Sequence, residues 1–347
     1  MSDDAYAKSG VNIEAGNEVV RQIKDIVKST HSPAVLQGIG SFGALFDISD
    51  IAKKYKNPVL VQSVDGVGTK LMVAKMANDY SKVGADIVNH SANDIVCMGA
   101  RGLTFLDYVA HEKLDVNIMA EIMRGMAQAC KDGGISLIGG ETAEMPGTYL
   151  AGEHDIAGAI TGVVEKDKII TGEKIAVGDA IIGLSSSGLH TNGYSLARKA
   201  FFETAGLTVS DTYEGLGETI GEALLHAHLN YAPAVLKLID AGVAINGIAH
   251  LTGGGFIENI PRVLPKNVNA QIKKGTWQVT PVFEAICKIA NVGEVERYRS
   301  FNMGIGMVLI LPQSEKARVI EMLAQEKLFK PYEIGEIVVG EGKTTLI

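Results

Sequence analysis

Single acids stand where glycine turns meet apolar runs. Asp65 opens "DGVGTK" directly after the apolar "NPVLVQSV", Asn93 and Asp94 sit in "SANDIV", and Glu141 follows the double glycine of "GGETAEMPG". Hard divalent cations take oxygen ligands, and magnesium on a nucleotide typically takes one or two carboxylates beside phosphate oxygens and water. For Asp65 alone, an Asp-Gly turn bonding its own backbone is the plainer reading. Three such acids at strand or helix termini change the balance, and they predict that Asp65, Asp94 and Glu141 grip a metal that in turn grips phosphate.

The glycine motifs need separate tests. "GIGSFG" at 38–43 matches G-x-G-x-x-G, but a dinucleotide site needs a strand before it and a helix after it. Here a helix and Pro33 precede and an apolar, strand-like segment follows. A surface loop and a ligand-covering loop remain, and Phe42 among the glycines favours a lid. "DGVGTK" has the hydroxyl before the lysine and too short a loop for a P-loop. "SSSGLHTNG" at 185–193 and "AHLTGGGF" at 249–256 each set one histidine beside a small-residue turn leading into a helix. Such turns bind anions through backbone N–H groups. A lone histidine there more often caps or packs, while two such turns raise His190 and His250 as acid–base candidates.

The elements that must hold these residues are mixed. Residues 13–28 carry Val19, Val20, Ile23, Ile26 and Val27 at helical spacing, and 80–98 and 116–132 also read as helices. Strands are predicted at 57–64, 102–110 and 155–166, with another breaking at the double glycine of 139–140. The charged, turn-rich stretch 165–179 marks a boundary between domains 1–168 and 169–347. In the second half, strand, glycine turn and helix recur, and "PYEIGEIVVGEG" reads as a closing hairpin. The irregular alternation argues for an α+β class.

The whole chain bounds the chemistry. It has 347 residues, 46% hydrophobic and 21% charged, with a formal charge of −8. That suits about two domains, and with no Lys/Arg run it argues against nucleic acid as a partner. Three widely spaced cysteines argue for a reducing compartment without a disulfide framework or zinc site. The start "MSDDAYAKSG" lacks a signal peptide's regions, and the longest apolar run, 303–311, is too short for a bilayer. The expectation is a cytoplasmic protein with no membrane partner.

"SGVNIEAGN", "GSFGALFD", "DGVGTK", "GGETAEMPG", "SSSGLHTNGYSLAR", "AHLTGGGFIENIPRVLP" and "FNMGIGM" follow in order from about residue 5 to 340. Together they closely resemble the AIR-synthetase family, the phosphoribosylformylglycinamidine cyclo-ligases of purine biosynthesis. The resemblance implies an N-terminal α/β domain that pairs with another copy to close an intersubunit β-barrel, and a C-terminal α+β domain. It implies a homodimer using ATP and Mg2+ to close the imidazole ring of formylglycinamidine ribonucleotide. It also implies roles. Gly38, Gly40, Gly43, Asp65, Gly66, Gly68, Thr69, Lys70, Asn93, Gly140 and Glu141 would face the nucleotide. Ser187, Gly188, Thr191, Asn192, Thr252, Gly253, Gly254 and Gly255 would bind substrate, and His250 and His190 would act on protons. One departure is visible, since Asn12 stands in "SGVNI" where the family reads closer to "AGVDI". Looser resemblance extends to selenophosphate synthetase, thiamine-phosphate kinase, a hydrogenase-maturation factor and the larger amidine-forming enzyme one step earlier. The first of these usually has Cys or selenocysteine in its N-terminal glycine loop, and this chain has no Cys before Cys97. A catalytically silent nucleotide-binding dimer is the rival of another class, and ATP turnover separates it.

Overall fold

The computed structural model describes residues 13–40 and 42–347, so Asn12 and Ser41 lie outside the described residues. Two compact units emerge. One runs up to Ala92 and resumes over Gly102–Glu165, and the other comprises Asn93–Arg101 and Lys166–Ile347. The change at Glu165–Lys166 falls at the start of the charged stretch.

In the first unit, α1 (Ile13–Lys28) is followed by the short strands β1 (Val35–Gln37) and β2 (Leu45–Phe46), then α2 (Ser49–Lys54), β3 (Pro58–Gly66), α3 (Lys70–Ala77) and α4 (Val83–Val96). β4 (Arg101–His111), α5 (Val116–Gly133), β5 (Ser136–Glu144) and β6 (His154–Glu165) complete it. The sheet order is β3-β6-β4-β5, antiparallel at β3–β6 and parallel at β4–β5. Asp115 starts α5 by accepting from the N–H groups of Asn117 and Ile118, and Gly134 ends it at φ +64°. α1 buries Val19, Ile23 and Val27, the stripe its periodicity demands. On β3 and β4 the two-residue period turns Leu60, Val64, Leu106 and Tyr108 to an exposed face, while Val61, Phe105, Asp107 and Val109 are buried.

The structure corrects two local readings of this unit. The strand at 136–144 does not break at the double glycine. It continues to Glu144, and the ladder with β4 shifts register between Phe105 and Leu106. A bulge absorbs the irregularity there. A short strand, β1, also precedes "GIGSFG" directly, and it pairs antiparallel with β2. What excludes a dinucleotide fold is therefore the strand that follows, which makes this a glycine loop between paired strands.

The other unit contains β7 (Ala180–Ser185), α6 (Tyr194–Arg198), α7 (Ile220–Leu225), α8 (Ala232–Asp240), β8 (Gly247–His250), α9 (Gly255–Asn259) and β9 (Val268–Ile272). α10 (Pro281–Ile289), α11 (Glu294–Ser300), β10 (Ile305–Leu311), α12 (Lys316–Leu323), β11 (Pro331–Val339) and β12 (Thr344–Leu346) follow. Its six-stranded sheet has the order β12-β9-β11-β7-β10-β8. Every residue of β10 is buried, as its unbroken apolar run requires of an inner strand. The closing segment is not a hairpin: β11 pairs with β9 and β7, and β12 adds parallel to β9. Both units mix helices with a largely antiparallel or mixed sheet, the α+β class. Cys97, Cys130 and Cys287 are free thiols.

Candidate active site

In the first unit a cavity of about 740 Å³ brings together five of the sequence-predicted nucleotide residues. Gly38, Gly40 and Gly43 of the glycine loop line it together with Gly140 and Glu141 of β5. Pockets for small ligands and cofactors commonly span about 300–1,000 Å³. Phe42, at its rim, is fully exposed. Asp107 also lines this cavity, although no sequence motif singles it out. It is only 8% exposed, and burial pushes its carboxyl up to about 7. A side chain on Gly140 would collide with it, since a Cβ there would fall 2.2 Å from Asp107 Oδ1. The only sequence signal for Asp107 is a charge in an otherwise apolar strand.

Asp65 lies on the inward-facing side of β3, next to its end, as expected. Ser63 Oγ donates to its Oδ2 at 3.2 Å, and His90 Nε2 lies 3.5 Å from its Oδ1. Gly66, Gly68 and Thr69 form the exposed turn into α3. Lys70 is a correction. It is the first residue of α3, and its ammonium lies 2.7 Å from Asp86 Oδ2, with both side chains fully buried. Burial pushes this lysine down against the upward pull of Asp86, and it meets that carboxylate inside the unit rather than at the surface. Glu141 is exposed along the cavity wall, where a ligand can reach its carboxylate.

In the other unit the two candidate histidines are joined by a third. His250 ends β8, and its Nδ1 lies 2.7 Å from Asp94 Oδ1. Its Nε2 lies 2.9 Å from Nε2 of His228. The His228 ring stacks on His190 at 4.1 Å, and its Nδ1 lies 3.3 Å from Thr191 Oγ1. His190 is 1% exposed at φ +61°, and its Nε2 accepts from the Ser187 N–H at 3.3 Å. Both ring nitrogens of His250 thus lie within hydrogen-bond distance of protein groups, Asp94 on one side and His228 on the other. His228 lies in "LLHAHLNYAP", where no glycine turn marks it, and sequence reasoning misses it.

The turns on either side are held by asparagines. Asn302 donates to the Gly188 carbonyl at 2.9 Å and accepts from Ser186 Oγ and the Gly304 N–H. Asn259 spans the carbonyls of Thr252, Gly253 and Gly255 at 3.3, 3.2 and 2.9 Å. Within the same turn the Gly255 N–H donates to the Thr252 carbonyl at 3.0 Å. Asn192 Nδ2 lies 3.4 Å from Thr191 Oγ1, and its Oδ1 would be 3.3 Å from a Cβ at Gly253, so the two turns meet at that side chain. Ser187 Oγ donates to the Ala227 carbonyl. Asn93 is a further correction. It is fully buried, donating to the Leu229 carbonyl and accepting from the Tyr231 N–H, each at 2.8 Å, and so clamps the His228 loop rather than facing a nucleotide. A further cavity of about 800 Å³ in this unit, lined by residues such as Tyr213, Cys287 and Arg297, contains none of the predicted residues.

Comparison with known proteins follows the same division. Residues 44–164 match the AIR synthase related protein N-terminal domain and 176–347 the C-terminal domain. Phosphoribosylformylglycinamidine cyclo-ligase of Caldanaerobacter subterraneus subsp. tengcongensis is 48% identical over 98% of this chain and 99% of its own. That of Bifidobacterium longum is 47% identical over 99% of each. Among solved structures, thiamine-monophosphate kinase from Stenotrophomonas maltophilia superposes with a TM-score of 0.68 at 16% identity, covering 95% of both chains. The hydrogenase maturation protein HypE in complex with ATP gives 0.67 at 17%, covering 94% of this chain and 90% of that one. These distant likenesses show the shared fold, whereas the close relatives span the full length. The chain therefore belongs to the AIR synthase family, among the phosphoribosylformylglycinamidine cyclo-ligases.

Proposed function

We propose that this chain is a ligase that closes the imidazole ring of formylglycinamidine ribonucleotide, giving 5-aminoimidazole ribonucleotide, ADP and phosphate. The observation that carries this is the identity of about 48% to cyclo-ligases over nearly the whole chain. An amide oxygen is a poor leaving group. Phosphorylating the formyl oxygen turns it into phosphate, and the amidine nitrogen then forms the new C–N bond as phosphate departs. The nitrogen also gives up a proton, for which the Asp94–His250–His228 line is the proposed destination. The cavity under the glycine loop, with Gly140 and Glu141 on its wall, is the proposed nucleotide site.

Asp65 and Glu141 are hard oxygen donors of the kind magnesium prefers, but they stand on β3 and β5, the two outer strands of the sheet with β6 and β4 between them, so the two do not fit a single ion. In the other unit, Asp94 is a carboxylate oriented by the His250 imidazole at 2.7 Å, an arrangement that commonly supports a metal ligand. Magnesium bound with the nucleotide would neutralise charge on the transferring phosphoryl group. The exposed apolar residues Leu60, Val64, Leu106 and Tyr108 suit another copy of the sheet, and the proposed assembly is a homodimer closing a barrel there. No helix among the described residues is long and apolar enough to cross a membrane.

The test is ATP turnover with formylglycinamidine ribonucleotide, reading ADP and the aminoimidazole product together. Equimolar formation of both is expected, with little ADP when substrate is omitted. ATP bound but never hydrolysed with substrate present would favour the silent nucleotide-binding dimer. Sedimentation at low micromolar concentration should give a dimer, and a monomer there would remove the barrel.

A further inference from the structure

Asp107 is an acid on the buried face of β4, between Phe105 and Val109, which are both fully buried. Its own exposure is 8%. A carboxyl taken out of water normally gains hydrogen bonds in exchange, because a buried polar group left unmet is costly. Among the described residues no side chain donates to this one, and the donor beside it is its own backbone N–H. Acceptor positions on its two oxygens are therefore left open. Asp107 lines the cavity under the glycine loop, where a bound molecule can reach those positions. Gly140 stands on the same wall, and a Cβ there would fall 2.2 Å from Asp107 Oδ1 and 2.6 Å from the Asp107 carbonyl oxygen. Glycine at 140 thus keeps the space beside the carboxyl clear.

The surroundings narrow what can dock there. Val20, Ile23, Ile39, Met123 and Ile138 line the same cavity and give it apolar walls against which a ring can lie. A phosphate brought to Asp107 would meet a group of its own sign. The partner that fits is a flat, largely apolar molecule with an N–H at its edge. Adenine is such a molecule, with two apolar faces and an exocyclic amine that donates. A carboxyl oxygen accepts from that amine in either charge state, so the contact does not depend on where the acid's proton sits.

We propose that Asp107 recognises the base, accepting a hydrogen bond from the exocyclic amine of adenine and so selecting ATP over nucleotides that lack this amine. This assignment rests on the nucleotide reading of the cavity and goes beyond it by naming the group that reads the base. The test measures binding of ATP and of purine riboside triphosphate, which lacks only the 6-amino group, by calorimetry with magnesium and without the ribonucleotide substrate. Wild type should bind ATP about 10- to 100-fold more tightly than the analogue, the range for a hydrogen bond to an ionisable group in a buried site. Asp107→Asn keeps a carbonyl acceptor and should keep most of that preference. Asp107→Leu keeps bulk without an acceptor and should bind the two nucleotides within about threefold of each other. A preference retained in Asp107→Leu overturns the proposal. So does a loss of affinity that falls equally on both nucleotides, the result expected if Asp107 held the metal or a ribose hydroxyl. Wild type that binds both nucleotides alike removes the base assignment and leaves the nucleotide site, whereas wild type that binds no ATP removes both. Should Asp107→Leu fail to fold, Asp107→Ala, which removes the acceptor without adding bulk, takes its place with the same outcomes.

Discussion

The glycine loop at 38–43 and the glycine turn at 252–255 are similar in composition and differ in physical reason. A Cβ on Gly43 would meet nothing within 4 Å, and the neighbouring Phe42 lies wholly in solvent. At Gly255 a Cβ would fall 2.2 Å from the Tyr298 carbonyl oxygen and 2.6 Å from that of Phe301, at φ +53°. At Gly40 and Gly43 the loop uses glycine where nothing packs, over a cavity, whereas Gly38 sits against the His31 ring. The turn uses it so that backbone can press against backbone, fixing the chain after His250. Similar composition therefore marks an open stretch of chain in one place and a backbone-packed one in the other.

The sharpest way to break this contrast is Gly255→Ala. Both contacts are backbone and the conformation is left-handed, so a loss of about 3 kcal/mol or more, or no folded protein, is expected in denaturant titration. A loss under about 1 kcal/mol would mean that the turn yields, and the contrast would fail.

Within the first unit, two buried groups differ in the sign of their pH dependence. Burial and the neighbouring His154 push His111 down to about 4, and the two Nδ1 atoms, 2.6 Å apart, share one hydrogen. The folded state resists protonation there, so this contribution is present above about 6.5 and lost as pH falls towards 4. Asp107, raised to about 7, does the reverse: the folded state holds its proton, and stability is lost as pH rises from the ordinary carboxylate range through about 7. Between about pH 4 and 6.5 the two slopes oppose each other, each limited to about 1.4 kcal/mol per pH unit. Relative to wild type, Asp107→Asn should lose stability faster on acidification, and His111→Gln should gain it. Stability curves at several pH values check this, and parallel slopes for all three proteins would refute the opposition.

The smallest expected stability effect is at Gly43. Gly43→Ala should stay within about 0.5 kcal/mol of wild type, as an exposed substitution without contacts does. If the loop covers a bound nucleotide, the same variant should change KM for ATP, and amide exchange over 38–44 should slow when ATP is added. Exchange indifferent to ATP would leave the loop an ornament of the surface.

Legibility in the sequence follows the same physical line. The stripe on α1 and the unbroken apolar run of β10 are legible because each pattern reports directly on burial. Asp65 can be placed beside a strand end because a strand-to-glycine change is a local signal. Lys70 escapes such reading because the buried Asp86 that claims it is sixteen residues away with no motif to announce it. Asn93 escapes it for the same reason, since its partners lie at 229–231. His228 acts through folded contacts between segments that look ordinary when read alone. β12 reads as half of a hairpin because nothing in the sequence shows that its partner, β9, lies more than seventy residues earlier rather than across the nearest turn.

The central claim is that the formyl oxygen leaves as phosphate. Substrate carrying 18O in the formyl group, turned over once with ATP, tests it most directly by mass analysis of the released phosphate. The account predicts one 18O atom in that phosphate for each aminoimidazole formed. Unlabelled phosphate beside labelled water, with the aminoimidazole still made, would contradict it.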